Sequence, residues 1–186
     1  MCRHFCEFSR AGTPDKVLSQ PVRDSCKRLV EELIDRGETV SVAESCTGGL
    51  LGSVFTSIPN ASKVFWGGVI SYDDDAKQNL IGVPENLLHI YGAVSSEVAV
   101  AMARGIREVA ATTWAVALTG IAGPSGGTLQ KPVGTVCIAI DGPVTDVEIN
   151  RFDGNRDVVR EASVDQAIIL LSSCLCAKNK VDELNE

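Results

Sequence analysis

Ser45 and Cys46 stand side by side in VAESCTGGLLGS (42–53), and either is a candidate nucleophile. A cysteine at a helix N-terminus can gain thiolate character, whereas a serine needs a neighbouring group to take its proton. A Ser–His–Asp arrangement is nearly excluded by count. The chain has two histidines, His4 in an N-terminal stretch without periodicity and His89 in LLHIYG, where it reads as a helix-end residue. Lysine or tyrosine can activate a serine instead, and Tyr72 and Lys77 lie five residues apart in YDDDAK. Asp73, Asp74 and Asp75 favour the charged form of Lys77 and so oppose its use as a base. Lys77 is then a base, a group that polarises Tyr72, or a solvated helix residue, and the spacing leaves these open. A third polar stretch begins at Thr119 and runs through GIAGPSGG (120–127). SCTGG lacks the GK[ST] of a Walker A loop and does not match GxSxG. Gly48 and Gly49 also fit a plain tight turn with close helix–strand packing.

These residues fall where predicted strands end. ETVSVA (38–43), FWGGVISY (65–72) and WAVALT (114–119) are β-branched or continuously apolar and predict strands, the third buried on both faces. Helical spacing of Val22, Cys26, Leu29, Val30, Leu33 and Ile34 predicts a helix from Pro21 that stops at Gly37. Further helices are predicted over about 49–57, from the aspartates at 73–75, and behind an N-cap at Ser95. The last of these has Val98, Met102, Ile106 and Val109 as its apolar stripe. VGTVCIAI (133–140) and TDVEINRF (145–152) pair across the DGP turn, and a last helix runs over about 155–175. The alternation predicts an α/β fold, a three-layer α/β/α sandwich on a mostly parallel sheet with an antiparallel edge. Residues 1–19 are expected to be an extension, 20–176 one domain and 177–186 a polar tail. In such a sheet, ligands sit in the crevice beyond the carboxyl ends of the strands. If the first three strands are parallel, Ser45, Tyr72 and Thr119 meet there.

Seventeen basic against 24 acidic residues give a net charge of −7, which argues against a nucleic-acid or anionic-membrane surface and leaves room for a small anionic ligand. No apolar run has membrane length, and no signal-peptide core is present. Seven cysteines without a CxxC framework read as reduced thiols in a cytoplasmic compartment, with Cys26 and Cys137 as small core residues. CRHFC near the N-terminus offers too few ligands for a metal site, so neither a metal nor another cofactor is expected.

AESCTGG (43–49), GGVISYDDDAK (67–77), GAVS (92–95), TGIAGPSGG (119–127), KPVGTV (131–136) and RFDGNRDVVR (151–160) together resemble the CinA C-terminal domain family, in order and over roughly residues 22–176. The resemblance implies a nicotinamide-nucleotide amidohydrolase that converts nicotinamide mononucleotide to nicotinate mononucleotide and ammonia. It implies Ser45 as nucleophile, Tyr72 and Lys77 as its catalytic partners, and Thr119 as a pocket residue. Gly48, Gly49 and Gly120 would bring backbone near the nucleotide, beside Cys46, Thr47 and Ile121, and Arg156 would meet the phosphate. A homodimer or higher homo-oligomer is expected on the same ground. Many members also carry a molybdopterin-binding-type domain associated with pyrophosphatase activity; no such domain stands in this sequence, and that activity is not expected. The rivals are a non-catalytic nucleotide-binding module, and a thiol-dependent protein using Cys46 or the CLC at 174–176.

Overall fold

The computed structural model describes residues 20–183. Helix α1 (Gln20–Arg36) leads through Gly37 into β1 (Val40–Glu44), and α2 (Leu50–Thr56) follows the SCTGG turn. A 3₁₀ turn (Ala61–Lys63) precedes β2 (Phe65–Ile70), then α3 (Asp74–Ile81), α4 (Glu85–Tyr91) and α5 (Ser96–Ala110). Strands β3 (Trp114–Gly120), β4 (Thr135–Asp141) and β5 (Asp146–Arg151) come next, and α6 (Arg156–Glu183) closes the chain. No described helix is long and apolar enough to cross a membrane.

The sheet order is β2-β1-β3-β4-β5, with β2, β1 and β3 parallel and β4 antiparallel to both its neighbours. The first three strands therefore end on one side of the sheet, as the sequence predicts, and β5 ends there too. Helices α1, α2 and α6 cover one face, packing on Val40, Val42, Trp114, Val116, Leu118, Val136, Ile138 and Ile140. Helices α3, α4 and α5 cover the other, where the strands present Ala43, Ala115, Ala117, Cys137 and Ala139. This alanine-lined face lets α5 lie close on the sheet, while the bulky face packs larger side chains under the single layer of α1, α2 and α6.

Two expectations change. In α5, Val98, Met102 and Ile106 are buried but Val109 is 57% exposed. Ala99, Ala103 and Ala110 share the buried stripe and swing it around the helix, leaving Val109 on its flank. Helix α6 continues past residue 175, through much of the expected polar tail, and Lys178 on this extension forms an ion pair with Glu38. His89 lies in the last turn of α4, the helix-end place the sequence predicts. The CRHFC stretch lies outside the described residues.

Candidate active site

Glu44 ends β1, and Ser45 is pinned at once to the neighbouring strand by its N–H, which donates to the Leu118 carbonyl at 3.0 Å. Ser71 does the same from β2, its N–H reaching the Glu44 carbonyl at 2.8 Å. Parallel pairing thus carries three strand ends to one crevice. A cavity of about 250 Å³ opens there, lined by Ser45, Cys46, Tyr72, Lys77, Thr119, Gly120, Ile121 and Arg156, with Asp74 at its wall. The expected catalytic residues and five of the eight expected binding residues meet at this cavity. A larger hollow of about 670 Å³ between α1 and α6 shares no residue with it.

Thr47, Gly48 and Gly49 do not line the cavity, contrary to expectation. The Glu44 carboxylate explains this. It is 1% exposed and accepts from the N–H groups of Gly49 (3.0 Å), Leu51 (3.1 Å) and Gly52 (2.8 Å), filling the start of α2 with the chain's own negative charge. The Gly48 N–H goes to the Ser45 carbonyl at 3.1 Å. The N–H groups of Cys46 and Thr47 are left in this turn without a partner among the described residues. Gly49 adopts φ +91°, where a side chain would be strained, so the reversal itself requires glycine. The two glycines shape the turn.

Lys77 is 1% exposed although it sits on a helix flanked by aspartates, so it is no solvated residue. Its Nζ donates to the Tyr72 carbonyl (3.2 Å), the Asp73 carbonyl (3.5 Å) and Asp74 Oδ1 (3.1 Å). The expected Tyr72–Lys77 pairing through the phenol is therefore absent. The Tyr72 hydroxyl instead accepts from Arg156 Nη2 at 3.3 Å, and its side chain is 61% exposed at the rim. Arg156 also donates to the Gly123 carbonyl at 2.9 Å, which ties the first turn of α6 to the 120–127 loop. The Thr119 hydroxyl donates to the Ala93 carbonyl at 2.8 Å and holds the 92–95 segment beside the cavity. Asp74 is the site residue not singled out from sequence. Its signal is its position three before Lys77, one helical turn away on the same face.

Serine and cysteine separate clearly. Ser45 lines the cavity. Burial pushes the Cys46 thiol up to about 12, and the nearby arginines only partly oppose it. A thiol so held is not a thiolate at neutral pH. Burial likewise raises Cys26 to about 12, and Cys137 and Cys174 to about 11.

The model of the CinA C-terminal domain family matches residues 23–175. A CinA-like protein of Synechococcus sp. is 50% identical over 149 residues, covering 78% of this chain and 35% of its own length. A CinA-like protein of Anaeromyxobacter sp. is 46% identical over 148 residues, covering 79% and 36%. The chain thus spans about a third of the length of the curated relatives it matches. Among solved structures, the competence/damage inducible protein CihA of Agrobacterium tumefaciens superposes with a TM-score of 0.82 at 35% identity, over 86% of this chain and 99% of that one. A CinA superfamily protein of Escherichia coli gives 0.79 at 31% identity, over 83% and 91%. Family motifs, the mixed five-stranded sheet and the cavity at its strand ends agree, and the chain belongs to the CinA C-terminal domain family.

Proposed function

We propose that the chain is a nicotinamide-nucleotide amidohydrolase, which hydrolyses the carboxamide of nicotinamide mononucleotide through a serine acyl-enzyme. The observation that carries this is the convergence of Ser45, a water-excluded Lys77 and Arg156 on one cavity, beside a cysteine too buried to compete. Ser45 Oγ attacks the carboxamide carbon. Lys77 takes the hydroxyl proton as its neutral amine and, once an ammonium held by Asp74 and two carbonyls, delivers that proton to the departing ammonia. The N–H of Cys46, which lines the cavity, serves the developing oxyanion; a donor of this kind is typically worth about 3 kcal/mol of barrier. Water then releases nicotinate mononucleotide. Tyr72 and Arg156 at the rim hold the nucleotide end, Arg156 meeting the 5′-phosphate, so that binding remote from the amide orients it. A cytoplasmic site of action fits a chain with four buried, unpaired thiols.

Ammonia release from nicotinamide mononucleotide by wild type, Ser45→Ala and Cys46→Ala tests this. Release should fall at least about 1,000-fold in Ser45→Ala. In Cys46→Ala it should stay within about threefold of wild type, since a thiol at about 12 supplies no nucleophile. No release from a folded wild type that still binds the nucleotide would make the chain a binding module and overturn the reaction.

A further inference from the structure

Arg160 lies one turn beyond Arg156 on α6, on the same helix face, but reaches the back of the nucleophile turn rather than the cavity. Its guanidinium places two donors on a single oxygen: Nε at 3.2 Å and Nη2 at 2.8 Å from the Thr47 carbonyl. Nη1 lies 3.6 Å from Asp157, which braces the fork from the other side. Nη2 also sits 3.9 Å from where a Cβ would stand on Gly48, in contact range of the turn's own backbone. The turn is thus clamped between two charges. The Glu44 carboxylate holds the N–H groups that follow Gly48, and Arg160 holds the carbonyl that precedes it.

Between those clamps, the Cys46 and Thr47 N–H groups have no partner among the described residues. The Thr47 carbonyl shares one peptide plane with the Gly48 N–H, which donates to the Ser45 carbonyl at 3.1 Å, so the fork that fixes the one fixes the other. We infer that Arg160 is a positioning residue for Ser45 chemistry, holding the Ser45 carbonyl, and with it the nucleophile's place in the turn, through the Thr47–Gly48 peptide. This rests on the serine amidohydrolase proposed above. The charge also reaches the turn: burial dominates the raised Cys46 thiol, and Arg156 and Arg160 pull the other way. A cation behind the turn favours negative charge developing in front of it.

The test compares wild type, Arg160→Ala and Arg160→Lys in two assays, ammonia release from nicotinamide mononucleotide and covalent labelling of Ser45 by a fluorophosphonate, with thermal unfolding in parallel. A misplaced nucleophile should lower kcat about 100-fold in Arg160→Ala and leave KM within about twofold. Guanidinium ion at low, non-denaturing concentration should restore about tenfold of the loss, and Arg160→Lys, with a point charge in place of the fork, should fall between. An unchanged kcat in folded Arg160→Ala overturns the assignment. So does a loss that follows the folded fraction, stays unrescued and raises KM equally. If wild type releases no ammonia but Ser45 is labelled, the amidohydrolase proposal fails and labelling decides Arg160: a rate at least about tenfold slower in Arg160→Ala, rescued by guanidinium, upholds it, and an equal rate overturns it. If Ser45 is not labelled either, both fall.

Discussion

Replacing Glu44 by glutamine isolates what the buried carboxylate does at the start of α2. Glutamine keeps the shape and removes the charge and one acceptor. The carboxylate accepts two N–H groups on Oε2, from Gly49 and Leu51, and one on Oε1, from Gly52. In the best orientation the amide oxygen takes the Oε2 position, and the amide NH₂ then faces the Gly52 N–H, donor against donor. That bond to an ionised group is lost, at about 1.5–3 kcal/mol. The two remaining bonds drop from charge-assisted to neutral, each losing about 0.5–1.5 kcal/mol. The gross loss is about 2.5–6 kcal/mol. Glutamine also relieves the cost of holding a charge at 1% exposure, which returns part of this. The net expectation is a destabilisation of about 2–4 kcal/mol, inside the 5–15 kcal/mol of an ordinary domain. Urea unfolding of wild type and Glu44→Gln should therefore show a lower midpoint at an unchanged slope. Ammonia release from the folded variant should also fall, since the turn carrying Ser45 loses one of its clamps. A stability within about 0.5 kcal/mol of wild type would refute the reasoning, because surface substitutions commonly stay within that range.

Two further outcomes follow from other parts of the fold. Burial alone would push the Glu38 carboxyl up, but hydrogen bonds from Lys178 and from Trp114 Nε1 at 2.5 Å, with the charges of Lys178 and Arg36, hold it below its ordinary value of 4.5. A lowered carboxylate contributes stability that is fully present above the unfolded value and lost as pH falls through the folded one. Lys178→Met should thus cost about 1–3 kcal/mol at pH 7. Unfolding at a series of pH values below 4.5 should show the gap to wild type closing as Glu38 protonates. In α5, a Cβ on Gly105 would stand 1.8 Å from the Ile81 carbonyl oxygen, where α3 ends against the helix. Alanine gains about 1 kcal/mol of helix propensity, but the backbone clash costs more, so Gly105→Ala should lose about 2–3 kcal/mol in denaturant unfolding.

The placement of the site was legible because its signals are local and lie at strand ends. Parallel pairing of β2, β1 and β3 needs only the alternation of strands and helices, and it brings Ser45, Tyr72 and Thr119 together. Directions of side chains were not legible where a distant partner sets them. The Tyr72 phenol turns to Arg156, 84 residues on, and so parts from Lys77, five residues on. Val109 was misplaced because branched residues dominate a periodic pattern, while three alanines decide which stripe of α5 is narrow enough to approach an alanine-lined sheet. Helix α6 runs on through polar sequence, held there by Lys178 on Glu38, a contact across 140 residues that no local propensity contains.

Glu44 is the instructive intermediate. An acid just before a glycine turn and a helix is a recognisable start signal, yet within a strand ending it reads as a residue of the sheet. Once its carboxylate is seen to occupy the N–H groups of Gly49, Leu51 and Gly52, the glycines cannot bind substrate through theirs, and the free donors move back to Cys46 and Thr47. SCTGG thereby specifies a chain reversal, and the charges on either side hold that reversal in place. On the arrangement inferred for Arg160, a chain that kept SCTGG but lost both flanking charges would keep the turn and lose the nucleophile's place in it.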